Sequence, residues 1–338
     1  MRLPGFRPAR RAANLDLLVL AVSNRCDQRC RHCQIWMGRS AQRELRLEER
    51  LAVVEDALAC GVSHALLTGG EPLLSTQLWP IARRFREGGV RLLLATNGML
   101  LGPYAAEVGA LFDEVYVSLD GASASTHDGV RGVAAFARLA AGVARLRRAA
   151  PQVAVVARST LHAANVGDLE AIVSAARRLG VHHVSFLPVD ASSGAFGGEP
   201  QARRSLVPLP EQVSGFEAAV ERLAREGALA GGFVLEDAAG LRRIARHLAA
   251  SAGGGRFERP PCDAPWWSSV VEADGLVRPC FFHAAVGDAR EGLGRVRSSP
   301  AYRSALARVA APNETCSRCV CPKKGAPRRT RVMARGTA

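Results

Sequence analysis

From Leu15 to Val189 the chain alternates short runs rich in Leu, Val and Thr with longer stretches in which apolar residues recur every three or four positions. The short runs read as strands and the long stretches as one-faced helices, because side chains repeat about every 2 residues in a strand and about every 3.6 in a helix. Strands are predicted over 17–22, 64–68, 91–96, 114–120, 153–159 and 182–188, and helices near 47–60, 76–88, 103–111, 133–148 and 167–179. Gly61, Gly88 and Gly180 stand at or just beyond helix ends, where a left-handed cap costs glycine least.

Strands separated by helices imply parallel βα units. A doubly wound sheet and a partial TIM-type barrel both satisfy that pattern. The polar and glycine residues gather just after the strands: Ser23 and Asn24, Thr68 to Glu71, Thr96 to Gly98, Ser118 to Asp120. In a barrel these are the C-terminal strand ends, where active sites assemble. The pattern therefore favours an α/β fold built as an open, partial TIM-type (β/α)6 barrel with one site at its mouth.

Beyond Pro188 the pattern changes. Residues 190–208 read as a loop, 210–228 and 235–250 as helices, and Gly253–Gly255 as a break. Residues 266–282 read as a β-hairpin turning at Asp274-Gly275 in a type I′ turn, and a last helix near 298–310 leads to Cys316. Trp266 and Trp267 then fall on opposite faces of the first hairpin strand, which puts one of them in the core.

Composition narrows the class. A chain of 338 residues that is 48% hydrophobic is a packed globular protein, with a length suited to about two domains. The apolar stretch 15–22 is interrupted by Asp16, is too short to cross a bilayer and has no cleavage site behind it, so a cytoplasmic protein is expected. Of the net charge of +14, eleven charges lie in residues 1–12 and 316–338, which carry no acid. Charge confined to the ends is a solubilising or anion-binding feature, and a nucleic-acid interface is not expected.

Nine cysteines in such a chain point to metal or redox chemistry rather than a disulfide framework. Cys60 stands alone and reads as a small buried apolar residue. The others form two groups. Cys26-x3-Cys30-x2-Cys33 follows the first strand and supplies three thiolates from one loop. Soft thiolates suit the irons of a [4Fe–4S] cube, and three of them leave the fourth iron open to a ligand. A zinc loop borrowing a distant fourth ligand is the alternative.

The triad resembles the signature of the radical S-adenosylmethionine (SAM) superfamily, and the resemblance extends downstream. Thr68-Gly69-Gly70-Glu71-Pro72-Leu73 is similar to that family's GGE motif. Thr96-Asn97-Gly98, Ser118-Leu119-Asp120-Gly121, His127-Asp128, Arg131-Gly132 and Phe136 follow in the family's order. His32 departs from it, occupying a place where an aromatic ring is usual. The resemblance covers residues 15–190. It implies that Gly69, Gly70 and Glu71 meet the SAM ammonium group, that Asn97, Ser118, Asp120 and Arg158 help hold SAM, and that the backbone around Leu187 cradles adenine. It also implies the chemistry: SAM chelates the open iron, one electron from the cluster cleaves its sulfonium, and the resulting 5′-deoxyadenosyl radical abstracts hydrogen from a substrate carbon. An external electron donor such as ferredoxin or flavodoxin is implied with it.

The second group is Cys262-x17-Cys280-x35-Cys316-x2-Cys319-x-Cys321. It resembles the SPASM/twitch extensions of radical SAM enzymes, although Cys321 falls too early for the full SPASM spacing. One auxiliary [4Fe–4S] cluster is implied on Cys262, Cys280, Cys316 and Cys319, with Cys321 as a substitute for Cys319 or a free thiol. A four-cysteine zinc site is the alternative. Full ligation suits electron uptake, hence an oxidoreductase-like reaction.

The division that follows is a basic tail over 1–13, the partial barrel over 14–205, a helical bridge over 206–255, the auxiliary cluster region over 256–325 and a second basic tail over 326–338. The short segment ahead of the first strand leaves no room for a leader-binding domain. A small-molecule substrate undergoing oxidation, epimerisation or rearrangement is therefore expected first, and a ribosomally made peptide second. A non-catalytic iron–sulfur or zinc protein is the distant third. Asp190, Glu236 and Asp237 could reach the barrel mouth, but none is singled out as a catalytic acid or base.

Overall fold

The structure is a computed structural model that describes residues 15–37, 43–323 and 325. The two predicted basic tails, 1–13 and 326–338, lie outside the described residues. The six predicted strands form as β1 (Leu17–Ser23), β2 (His64–Gly69), β3 (Arg91–Thr96), β4 (Glu114–Ser118), β5 (Ala154–Leu161) and β6 (His183–Pro188). They pair in parallel, each with its sequence neighbour. The sheet does not close: its order is β6-β5-β4-β3-β2-β1, continuing to three further strands beyond β1.

The helices between the strands are one-faced, and that face drives their docking. In α1 (Leu47–Ala59) the buried set includes Val53, Val54 and Ala57. In α2 (Leu78–Glu87) it is Leu78, Ile81, Ala82 and Phe85, a spacing that lies along one stripe. The short α3 (Ala105–Leu111) is followed after β4 by two helices, α4 (Ala124–Arg131) and α5 (Phe136–Ala149). After β5, α6 (Leu169–Arg178) buries Leu169, Ile172, Val173, Ala175 and Ala176. Each fully buried Leu or Phe on these faces contributes about 1.5–3 kcal/mol. Gly61 and Gly180 have positive φ as predicted, but after α2 it is Gly89 (φ 73°), not Gly88 (φ −77°), that takes the left-handed position.

Strand alternation divides the barrel strands into two faces. In β4, Val115 and Val117 are buried against helices, while Glu114, Tyr116 and Ser118 are half-buried and face the barrel interior. Arg91, Leu93 and Ala95 do the same in β3.

Two helices, α7 (Pro210–Arg225) and α8 (Ala238–Ser251), follow β6. The C-terminal hairpin is β7 (Ser268–Val271) and β8 (Leu276–Arg278), with a short β9 (Gly287–Asp288) beside it. It differs from expectation in three ways. β7 pairs in parallel with β1, Leu17 opposite Ser268 and Leu20 opposite Val271, so the hairpin extends the barrel sheet. Trp266 and Trp267 lie in a helical turn, α9 (Ala264–Trp267), with Pro265 in its first turn, so they are not strand residues. The turn is not type I′, because only Gly275 has positive φ (98°) and Asp274 does not. Gly275 N donates to Glu272 O and Glu272 N to Leu276 O, the pattern of a type I turn closed by a left-handed glycine. Three further helices follow among the described residues: α10 (Leu293–Ser298), α11 (Pro300–Ala310) and α12 (Glu314–Ser317). No helix among the described residues is long and apolar enough to cross a membrane.

Candidate functional site

The mouth of the open barrel holds a cavity of about 230 Å³. Cys26, Cys30 and Cys33 form one side of it, Thr68, Gly69 and Gly70 the next, and Ala95 to Asn97, Tyr116 to Ser118, Arg158 and Leu187 to Asp190 the rest. The cysteine triad, Gly69, Gly70, Asn97, Ser118, Arg158 and Leu187, all expected from the sequence, thus share one space.

The two glycines are required by close approach. A Cβ on Gly69 would stand 2.2 Å from Ser23 O, and one on Gly70 2.4 Å from Arg25 O. Gly69 also has φ +138°, a backbone conformation that side chains resist. The loop after β2 therefore lies flat against the start of the cysteine loop. Gly70 N donates to Ser23 O and Glu71 N to Arg25 O.

Glu71 and Asp120, expected among the SAM contacts, do not line this cavity and are buried beside it. Glu71 is wholly buried, and its carboxylate accepts from Leu73 N (3.0 Å), Thr96 Oγ1 (2.8 Å) and Asn97 N (2.7 Å). It ties the β2 loop to the β3 loop. Burial outweighs these three donors and lifts its pKa to about 7. Asp120, also wholly buried, accepts from Thr160 N at 2.7 Å and pairs with Arg131 at 2.5 Å. Asn97 does line the cavity, held by Asp27 Oδ1 at 2.6 Å. Arg158 lies opposite Ser118 in the β4–β5 register, its guanidinium 5.1 Å from the centre of the Tyr116 ring.

Burial pushes the Cys26 thiol up to about 12 and the Cys33 thiol up to about 11. Such thiols stay protonated until a cation takes them, and iron is a cation of the kind thiolates suit. Arg131 and Arg203, both buried, place positive charge near Cys33.

In the C-terminal region Cys262, Cys280, Cys316 and Cys319 rim a narrow cavity together with Arg259, Pro265, Phe282 and His283. Cys321 is not part of that rim. Burial raises the Cys280 thiol to about 12 and raises Cys262 and Cys319 as well. His283 Nε2 lies 3.3 Å from Cys316 Sγ. Among the described residues no three His, Cys, Asp or Glu side chains converge on one ion-sized point.

The three acids near the mouth divide. Asp190 lines the cavity but spends both oxygens on Ser192 and Ser193. Glu236 accepts from Ser185 Oγ at 2.7 Å and Phe186 N at 2.9 Å, fixing the back of β6. Asp237 caps α8 through Gly240 N at 2.7 Å. Cys60 packs half-buried against the core.

Known proteins match in the same two places. A family model described as the radical SAM superfamily matches residues 20–176, and one described as an iron–sulfur cluster-binding domain matches residues 262–320. Residues 20–176 are thus a radical SAM domain. It is 33% identical over 177 residues to the AdoMet-dependent heme synthase of Methanosarcina barkeri, a match covering 51% of this chain and 50% of that protein. The chain matches half or less of the length of the first curated relatives. Among solved structures, anSMEcpe with bound AdoMet superposes with TM-score 0.65 at 16% identity, covering 90% of this chain and 83% of that one. Streptococcus suis SuiB bound to precursor peptide SuiA gives 0.63 at 15%, covering 86% and 66%. At these identities the likeness is one of fold, and that fold is the open α/β barrel with its C-terminal extension.

As a radical SAM protein the chain takes a [4Fe–4S] cluster with SAM, and its C-terminal domain an auxiliary iron–sulfur cluster. The residues present fit both groups. Three thiols beside a glycine shelf that any Cβ would close are a cradle for a cluster and a ligand on it. Four thiols on one rim are a full donor set.

Several site residues escaped the sequence. Tyr116 and Thr160 line the cavity because alternation turns them inward, a signal present in the strand pattern. Phe196 and Val320 reach it from distant segments, and His283 sits on a loop; no local pattern marks them.

Proposed function

We propose that this chain is a radical SAM enzyme that abstracts a hydrogen atom from a substrate seated between the barrel mouth and the C-terminal hairpin. Cys26, Cys30 and Cys33 hold the SAM cluster, and Cys262, Cys280, Cys316 and Cys319 the auxiliary one. When bound, the cluster and SAM supply a 5′-deoxyadenosyl radical. The chain's own residues orient that chemistry: Gly69 and Gly70 admit SAM close to the backbone, Asn97, Ser118 and Arg158 offer polar contacts to it, and Leu187 closes on its adenine.

The observation that carries the reading is a second cavity of about 500 Å³ that shares Ile35, Thr68, Gly69 and Phe196 with the first. Its far wall is the hairpin, through Val270, Glu272, Leu276 and Arg278. A substrate there would stand one wall's thickness from the SAM cavity. Its charged lining among the described residues is Glu272, Asp274 and Arg278, and Arg278 is already engaged by Glu272 at 2.7 Å. With Glu272 and Arg278 paired, the net single negative charge, that of Asp274, suits a neutral or amine-bearing substrate better than a polyanion. Both a small molecule and a peptide side chain meet that condition.

Electron uptake by the auxiliary cluster is supported by adjacency. Val320 lines the SAM cavity and Cys319, the preceding residue, rims the auxiliary one. Consecutive Cα atoms are about 3.8 Å apart, so a single chain segment separates the two. That arrangement suits an oxidative outcome, with the substrate's electron leaving through the C-terminal cysteines.

Anaerobic reconstitution tests the reading. Reduced protein with SAM should release 5′-deoxyadenosine, and fully loaded protein that releases none would refute it. A variant with Cys26, Cys30 and Cys33 all replaced by Ala should keep about four irons, the content of the auxiliary cluster alone.

A further inference from the structure

Cys30 differs from its two partners. It is buried, whereas Cys26 and Cys33 are half-buried, and among the described residues it alone of the three receives a hydrogen bond from a side-chain cation. Arg131 Nη1 points at Cys30 Sγ from 3.5 Å, and also reaches Gln28 Oε1 at 3.5 Å. Its other terminal nitrogen, Nη2, binds Asp120 Oδ2 at 2.5 Å. Arg131 is 7% exposed and Asp120 is fully buried, so this pair is dry.

The backbone fixes the arrangement. Arg29 N donates to Arg131 O and Arg31 N to Val130 O, docking the cysteine loop on the end of α4. Gly132 has φ +71°, and a Cβ there would stand 2.7 Å from Arg29 O. On the other side, Thr160 N and the His127–Asp120 contact hold the Asp120 loop in place. His32 and His127 also contact Asp120. Among the described residues Arg131 is the cationic side chain hydrogen-bonded to Cys30, with Asp120 behind it.

In the thiol form Cys30 gives its proton to Gln28 Oε1 at 3.5 Å. Once iron takes the sulfur that proton is gone, and among the described residues Arg131 is the cationic side chain within hydrogen-bond reach of its charge. Hydrogen bonds to cluster sulfurs and nearby charge set cluster potentials, because reduction adds one negative charge that a cation stabilises. The geometry points to Arg131, balanced by Asp120, as the positioning residue that sets the reduction potential of the SAM cluster through Cys30. The inference rests on the proposed ligation by Cys26, Cys30 and Cys33. Within it, Asp120 is the counter-ion that limits how far Arg131 raises the potential.

The test is a redox titration followed by EPR on the reconstituted full chain without SAM, with iron counted in every sample. Wild-type protein lacking a SAM-cluster signal would sink the ligation, not this inference. Arg131→Gln that keeps its irons should lower the ratio of reduced to oxidised cluster at the wild-type midpoint about tenfold, or about 59 mV for one electron. Arg131→Lys, which keeps the charge, should recover most of that loss. An unmoved midpoint in Arg131→Gln, or a loss of equal size in Arg131→Lys, overturns the inference. Should Arg131→Gln fail to load, Asp120→Asn decides by sign: a raised midpoint supports the role, while an unchanged or lowered one refutes it. In the wild type, 15N-labelled arginine must add a nitrogen coupling to the reduced cluster in pulsed EPR, and its absence also refutes the role.

Discussion

Gly69 lies so close to Ser23 that a methyl group on it would stand 2.2 Å from the Ser23 carbonyl oxygen, a backbone atom with no room to retreat. The contact brings the loop after β2 flush against the first residues of the cysteine loop.

Gly69→Ala should therefore act on both loops. A positive φ of 138° adds backbone strain to the clash, and the cost should be on the order of 2–3 kcal/mol. Thermal unfolding measures the stability loss, and equilibrium dialysis measures SAM retention. Full SAM affinity in a folded Gly69→Ala protein would contradict the close-approach argument.

The auxiliary ligand set can be read from iron content. Cys280 rims the C-terminal cavity and Cys321 does not. Replacing Cys280 by Ala should remove the auxiliary cluster and lower total iron by about half, given about four irons per cluster. Cys321→Ala should leave iron content unchanged. The reverse ranking would place Cys321 among the ligands.

Stability should depend on pH in a direction fixed by the buried groups. His32, His127, His162 and His247 are each lowered by burial from 6.5 to about 4. Between those values the unfolded chain binds more protons than the folded one, so stability falls as pH drops from 6.5 towards 4. Glu71 works the other way. Its pKa rises from 4.5 to about 7, so its contribution is present below 4.5 and is lost as pH rises to about 7. Four groups outweigh one, and the urea midpoint should climb with pH up to about 6.5. From there to about 7 the histidines of the unfolded chain are still partly protonated, so Glu71 flattens the climb without reversing it. Glu71→Gln should steepen the climb between about pH 4.5 and 7; an unchanged slope would assign Glu71 no part in it.

How much of this was legible depends on how far apart the partners lie in sequence. The six parallel strands follow from local alternation and from one-faced helices such as α2, whose stripe of Leu78, Ile81, Ala82 and Phe85 is visible in the sequence. The same alternation marks Tyr116 as inward-facing. The pairing of β7 with β1 is not visible, because all four residues of Ser268–Val271 are buried and a short buried run carries no period. Pro265 opens a helical turn just ahead of Trp266, where a strand was predicted. Glu71 resembles a ligand contact in the linear motif, but its partners Thr96 and Asn97 are more than twenty residues away. Only the folded chain shows that its oxygens are already taken.

Arg158 offers the most direct test of the SAM cavity wall. It sits beside Ser118 in register, over the Tyr116 ring, with the cavity in front of it. A guanidinium at a cavity wall binds carboxylate or hydroxyl groups of a ligand through several donors, and a single charged hydrogen bond is worth about 1.5–3 kcal/mol. Arg158→Ala should weaken SAM binding at least about tenfold, the equivalent of about 1.4 kcal/mol. Iron content should not change, since Arg158 touches none of the cysteine sulfurs in the hydrogen-bond network around Cys30. Arg158→Lys should recover part of the affinity but not all, because an ammonium cannot present the planar fork. Binding is measured by dialysis of the loaded protein against SAM. Unchanged affinity in Arg158→Ala would assign that wall to the substrate instead.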